Sequence, residues 1–192
     1  MNNANPTQFD VYWAEMSPCD HFVQIYEHDD VMLDALEGFV AGAVRSDESA
    51  IIIATPGHRA ALDFRLRRQG LDLDRATRED RYICLDADAT LASFMVDGWP
   101  DEKLFAAVVD GLLERALRNG RRVRAFGEMV ALLWAQGHDG AVVRLEQLWH
   151  GLCREKSFAL LCAYPKSGFT KDASQSVKEI CEAHSKVVGQ VH

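Results

Sequence analysis

Residues 54–59, Ala-Thr-Pro-Gly-His-Arg, form a loop that could bind phosphate, because they follow an apolar run and precede a helical pattern. A working phosphate loop has the pattern G-x-x-x-x-G-K-[ST]. Its glycines expose backbone N–H groups, its lysine reaches the terminal phosphates, and its hydroxyl holds magnesium. Here only Gly57 fits, since both the lysine and the hydroxyl that should follow it are missing. The loop therefore predicts a chain that does not hydrolyse ATP in the ordinary way.

Two basic side chains could still allow this loop to bind an anion. His58 and Arg59 lie at the predicted start of a helix, where the backbone N–H groups and the helix dipole favour an anion. In the alternative interpretation, Thr55, Pro56 and Gly57 are a tight turn between strand and helix, and Arg59 is a solvated residue of the first helical turn. The sequence leaves both interpretations open.

Glu128 is the second candidate, because it ends another apolar run, VRAFG. In a parallel sheet this is the edge where ligands bind, and Gly127 beside it would allow a ligand close approach. Glu128 could instead stabilise the first turn of the following helix, worth about 0.3–1 kcal/mol. Tyr164, at the end of a further apolar run, could close an apolar pocket with its hydroxyl at the rim.

The five cysteines and seven histidines form neither a CxxC pair nor an HExxH motif, and there is no G-x-S-x-G elbow. Cys84 and Cys162 lie in apolar runs typical of buried, inert thiols. A metal site built from distant residues, such as His21 with Glu128, is an alternative without a motif to support it. We therefore predict no metal, no cofactor and no enzymatic activity.

Composition excludes several other classes of protein. The chain has 192 residues and a net charge of −8, which weighs against binding nucleic acid directly. Its first residues, MNNANPTQFDVYWAEM, do not resemble a signal peptide, and no apolar run approaches the roughly 20 residues needed to cross a bilayer. We expect a cytoplasmic protein without a membrane partner.

The elements that position these residues alternate between apolar runs and amphipathic segments. This alternation predicts an α/β domain of three layers, α/β/α, with a mainly parallel central sheet. Residues 1–20 are predicted as an N-terminal lead-in to a single domain over residues 21–192, which ends in a helix from Thr170 onward. The strands are expected in HFVQIY, AIIIAT, RYICLDA, RVRAFGE and FALLCAYP.

Five of these segments together resemble the MEDS domain, the methanogen/methylotroph DcmR-type sensory domain. They are HFVQIYEHDD, IIIATPGHRAAL, RYICLDADATLASFM, VRAFGEMVALLW and FALLCAYP with ICEAHSKVV. The resemblance implies a RecA/KaiC-like P-loop fold that lacks a functional Walker A motif, and a sensor of small molecules such as hydrocarbon derivatives. The family's characteristic positions match His21, Tyr26, Thr55, Pro56, Gly57, Glu128 and Tyr164.

The sequence therefore predicts a non-catalytic sensory domain that binds a small molecule and relays to a separate histidine kinase or transcriptional regulator, with a homodimer as a further arrangement. One alternative is a residual nucleotide-binding protein or NTPase-like enzyme using Glu128 and Arg59. Another is a protein-interaction scaffold without a ligand. The predicted ligand-binding residues are His21, Tyr26, Thr55, Pro56, Gly57, His58, Arg59, Glu128 and Tyr164.

Overall fold

The computed structural model describes Trp13, residues 16–168, His184 and residues 186–188. Within them, six parallel strands form one sheet in the order β3-β2-β6-β7-β1-β8. A short antiparallel hairpin, β4–β5, stands apart from it. The strands are β1 His21–Tyr26, β2 Ser49–Ala54, β3 Tyr82–Asp86, β4 Met95–Val96, β5 Trp99–Pro100, β6 Val123–Gly127, β7 Ala159–Pro165 and β8 Lys186–Val188.

Helices connect the parallel strands from β1 through β7, as crossovers between parallel strands require. Three of them begin where an aspartate side chain accepts the backbone N–H of the third helical residue, at Asp72, Asp86 and Asp101. Among the described residues, none of the helices combines the length and the apolar character that crossing a bilayer requires. The helices are α1 Asp29–Arg45, α2 Pro56–Arg68, α3 Leu73–Arg78, α4 Ala87–Ala92, α5 Glu102–Ala116, α6 Met129–Ala135 and α7 Asp139–Lys156.

Alternate residues of each strand enter different hydrophobic clusters, so both faces of the sheet are covered. Ala50 and Ile52 of β2 pack with α1, α2 and α3 on one face. Ile51 and Ile53 pack with α4, α5, α6 and α7 on the other face. This confirms the predicted α/β class, its mainly parallel sheet, and the unbroken apolar character of strands buried on both sides.

The connections diverge between β2 and β6, which are neighbours in the sheet. The chain leaves β2 into α2 on one face, and it leaves β6 into α6 on the opposite face. A crevice at the carboxyl ends of two strands whose connections diverge is the usual ligand site of open α/β sheets. The residues after Ala54 and Gly127 therefore occupy the part of this fold best placed for binding.

Three features differ from the sequence-based expectations. Val188 was assigned to a C-terminal helix, but it lies in β8, where its backbone pairs with Gln24 at the edge of the sheet. Apart from His184 and Lys186–Val188, the residues of that predicted helix lie outside the described part of the chain. The β4–β5 hairpin is not among the strands expected from the sequence. Trp13, within the predicted lead-in, is only 3% exposed and packs edge-on against Phe22 and Phe39.

Candidate functional site

The strand-end network is a set of hydrogen bonds among Asp29, Thr55, His58 and Glu128, centred on the Glu128 carboxylate at the carboxyl ends of β2 and β6. One oxygen accepts the backbone N–H of Thr55 at 2.8 Å. The other lies 2.7 Å from His58 Nδ1 and 3.4 Å from the Thr55 hydroxyl. Because a carboxylate only accepts, Nδ1 carries the proton in this contact. Glu128 is 4% exposed, so this charge is stabilised by protein donors rather than by water.

His58 links Glu128 to a second carboxylate. Its other ring nitrogen, Nε2, lies 3.4 Å from an Asp29 oxygen at the first residue of α1. The hydrogen bond to Glu128 raises the pKa of His58 above its usual value, although partial burial acts against it. An imidazole with an acceptor at each nitrogen is stabilised in its doubly protonated form. The network therefore ties α1 and α2 to the end of β6 through one titratable ring.

The Thr55-Pro56-Gly57 turn begins α2, with Thr55 at the N-cap and Pro56 as the first helical residue. The Thr55 side chain does not cap the helix. Instead, the Glu128 carboxylate accepts the Thr55 N–H. A negative charge at this end also suits the helix dipole. The Glu128 carboxylate therefore occupies the helix N-terminus that the sequence analysis gave as a candidate anion site. Gly57 is exposed, and a side chain added there would meet open space.

Arg59 and Tyr26 flank the network on either side. Arg59 lies 3.5 Å from Asp86 at the end of β3. Tyr26, at the end of β1, is 6% exposed. Burial raises the pKa of the Tyr26 hydroxyl, and the negative charges of Glu128 and Asp29 raise it further. Tyr26 is therefore a neutral hydroxyl beside the charged pair.

The remaining predicted residues, His21 and Tyr164, lie in a second cluster on the α7 face of the sheet. The Tyr164 hydroxyl donates to Glu146 of α7, and the side chain is fully buried. His21 Nε2 lies 3.4 Å from the other Glu146 oxygen and 3.4 Å from Cys162 Sγ. His184 Nε2 is 3.3 Å from the same oxygen. The predicted ligand-binding residues therefore lie in two separate clusters, and the Tyr164 hydroxyl is buried in the second cluster rather than at the rim of a pocket.

Burial and neighbouring side chains together determine the protonation of this second cluster. It lowers the pKa of His21 and raises that of Cys162, because a low-dielectric interior disfavours charge on either group. Burial also acts to raise the pKa of Glu146, but the neighbouring His184 and His21 outweigh it and lower that pKa. The cluster therefore holds a charged carboxylate between two imidazoles.

Sequence reasoning missed Asp29 and Glu146. Glu146 had a readable signal, since it lies on the apolar face of α7 between Val142 and Trp149, at helical spacing. A carboxylate on such a face needs a buried partner. Asp29 had no such signal, because acidic residues in the first turn of a helix are common.

A surface groove of about 510 Å³ lies between α1 and α2, next to the strand-end network. Phe64 lines it and is 62% exposed, with the Arg68 guanidinium 5.7 Å from its ring centre. Arg65 crosses the groove to pair with Asp30 and Asp34 of α1. The groove therefore combines one exposed aromatic ring with charges of both signs.

The chain matches the family model for MEDS, the MEthanogen/methylotroph, DcmR Sensory domain, over residues 20–185. No curated protein matches it. The matched span contains every residue of the strand-end network and every residue of the second cluster. Because the match extends over most of the chain, the protein belongs to the MEDS family.

Proposed function

We propose that this MEDS domain is a non-catalytic, cytoplasmic sensory module that binds a small molecule at the strand-end network. The observation that carries the proposal is the hydrogen-bonded series Thr55–Glu128–His58–Asp29, located where the connections of an open α/β sheet diverge. Family membership supports a sensory role, and the network supplies hydrogen-bonding groups beside the buried, neutral Tyr26. A small, weakly polar molecule, such as a hydrocarbon derivative carrying one polar atom, suits these surroundings.

The same network suggests how binding would be transmitted. His58 belongs to α2, Asp29 to α1, and Glu128 follows β6. A ligand that accepts or donates a hydrogen bond at His58 competes with one of the two carboxylates. Binding shifts the balance between the state in which His58 contacts both carboxylates and the state in which one contact is broken. It does so only if the ligand binds these two states with different affinities. Loss of the Asp29 contact loosens the attachment of α2 to α1, and loss of the Glu128 contact loosens the attachment of α2 to the end of β6.

The groove between α1 and α2 is the surface that this change would alter. Its exposed Phe64 and the ion pairs of Arg65 offer an apolar and a charged contact to a separate signalling protein. We propose a histidine kinase or a transcriptional regulator as the partner, with a homodimer as a further arrangement. With a net charge of −8, the chain is not expected to contact nucleic acid directly.

Catalysis at this loop is disfavoured by charge. Phosphate would have to approach the N-terminus of α2, where the Glu128 carboxylate already accepts the Thr55 N–H. Two negative groups at one helix terminus repel each other, and the chain lacks the lysine that would offset this. We propose that the loop is a relic of a RecA/KaiC-like P-loop whose Walker A function has been lost.

Thermal-shift measurements on the purified chain test the ligand claim. Halocarbons, short alcohols and ATP with magnesium are added separately to the wild type and to His58→Ala. A bound molecule at about 100 times its Kd adds about 2.7 kcal/mol, which raises Tm by about 5–10 °C in a chain of this size. We expect such a shift from a weakly polar compound, with little or none in His58→Ala. The exposed His138→Ala is the matched control and should keep the shift.

The other outcomes decide between the alternatives. If no small molecule stabilises the wild type, the ligand claim fails. That result would favour a scaffold. This alternative is supported by the hydrogen bonds that both Glu128 carboxylate oxygens already accept from protein groups. Magnesium-dependent nucleotide hydrolysis that Glu128→Gln abolishes would establish the enzymatic alternative instead.

A further inference from the structure

The second cluster contains four side chains of the types that bind transition metals. His21 begins β1, Glu146 lies in α7, Cys162 lies in β7, and His184 precedes β8. One ligand atom from each lies within 4.8 Å of all the others. We propose that these four residues bind one divalent metal ion of the zinc type, with tetrahedral geometry.

The separations between the ligand atoms match a coordination tetrahedron. Metal bonds of about 2.0–2.3 Å to nitrogen, oxygen and sulfur place neighbouring ligand atoms about 3.3–3.6 Å apart. His21 Nε2 lies 3.4 Å from both Glu146 Oε2 and Cys162 Sγ. His184 Nε2 lies 3.3 Å from Glu146 Oε2, and Cys162 Sγ lies 3.6 Å from it. Four edges of the tetrahedron therefore have the length that a metal at its centre requires.

Hydrogen bonding alone explains these distances less well. A charge-assisted bond from an imidazole to a carboxylate spans about 2.7–2.9 Å. The chain contains such a bond between His58 Nδ1 and Glu128, at 2.7 Å. In the cluster, by contrast, His21 Nε2 lies 3.4 Å and His184 Nε2 lies 3.3 Å from Glu146 Oε2. Three polar atoms surround that one oxygen at metal-ligand separations, which is the arrangement expected around a shared cation.

The surroundings also suit a metal. His21, Glu146 and Cys162 are at most 1% exposed, and His184 is 9% exposed, so a bound ion would be shielded from water. The Tyr164 hydroxyl donates to Glu146 Oε1, the oxygen that faces away from the proposed ion. Such an outer hydrogen bond holds a carboxylate ligand in place and leaves its other oxygen free for the metal.

The ligand set indicates what the ion would do. Four protein ligands close a tetrahedral site, which is typical of structural rather than catalytic zinc. His184 lies just before β8, so the ion would join this last strand to β1, β7 and α7. The site is separate from the strand-end network, and the proposal does not depend on the proposed sensory function.

The experiment uses the untagged full chain, freed of metal with a chelator and titrated with Co²⁺ as a spectroscopic probe. We expect one equivalent to bind, with the strong visible bands of four-coordinate cobalt and a thiolate-to-cobalt charge-transfer band. Cys162→Ser should lose the charge-transfer band, whereas Cys84→Ser, a half-buried cysteine outside the cluster, should keep it. Elemental analysis of chain purified from zinc-supplemented cells should give one zinc per chain.

Folding is followed by circular dichroism, so that loss of metal is distinguished from loss of structure. If Cys162→Ser does not fold, Tyr164→Phe serves as the second variant. It should retain the charge-transfer band while weakening zinc affinity by about 10- to 100-fold. Zinc should also slow amide exchange in Lys186–Val188. A folded wild-type chain that shows no thiolate-to-cobalt band, or whose band survives Cys162→Ser, would overturn the proposal.

Discussion

Replacing His58 with alanine removes the side chain that bridges Glu128 and Asp29 in the strand-end network. The variant keeps the Thr55 N–H on Glu128 and deletes the contact at 2.7 Å. Alanine is also a good helix former near the start of α2, so the backbone should not resist the change. Any loss of stability therefore reports on the bridge itself.

The magnitude follows from the two contacts. A hydrogen bond to a buried carboxylate is worth about 1.5–3 kcal/mol. The Asp29 contact adds at most about 1 kcal/mol, because the Asp29 side chain is 69% exposed and screened by water. Allowing for the better helix propensity of alanine, we expect a net loss of about 2 kcal/mol at low pH. In a chain of this size, that loss lowers Tm by about 4–8 °C.

The loss should depend on pH in a defined direction. The pKa of His58 is raised in the folded chain, chiefly by its hydrogen bond to Glu128. The stability that this pKa shift contributes is fully present below pH 6.5, the pKa of His58 in the unfolded chain. It is lost as the pH rises through the pKa of His58 in the folded chain. Above the pKa of the folded chain, the neutral His58 ring still donates a hydrogen bond to Glu128, which is worth about 1 kcal/mol. The difference between wild type and variant should therefore be larger at pH about 5.5 than at about 8.5.

Thermal denaturation at these two pH values provides the assay, with His138→Ala as the control because His138 is exposed. The comparison isolates His58, because the wild type and the variant share every other titratable side chain. A loss of stability that is the same at both pH values would refute the charged bridge. A loss no larger than that of the control would refute the network as a structural connection.

Two further predictions concern the frame around the site. Arg124→Leu should destabilise the chain by about 2 kcal/mol in urea denaturation, since it removes the buried partner 2.6 Å from Glu48 and leaves this carboxylate with the exposed Arg122. Adding Glu48→Leu should recover part of that loss, and a double variant no more stable than the single one would contradict this account. Gly127→Ala should change stability by less than about 1 kcal/mol, because the added Cβ would lie 3.7 Å from Trp149, an ordinary contact; a loss of several kcal/mol would contradict it.

The order of elements could be predicted from the sequence because it depends on local periodicity. Apolar runs such as AIIIA, buried at every position in β2, have few alternatives to a strand covered on both faces. The loop could also be judged, since the absence of a lysine after Gly57 is visible without a fold. The C-terminal Lys186–Val188 strand escaped prediction, because a segment of three residues carries too little pattern to distinguish strand from helix.

The partners of the site residues required the tertiary structure. Thr55 and Glu128 are 73 positions apart, and they meet only because β2 and β6 are neighbours, which no local pattern states. The sequence by itself determined the chemical types available at the strand ends and the lack of phosphate-binding groups. The fold alone decided that Glu128 meets His58, and that His21 meets Cys162 across β1 and β7. The physical reason is that strand order depends on the packing of crossovers on two faces of the sheet, a property of the whole chain rather than of any segment.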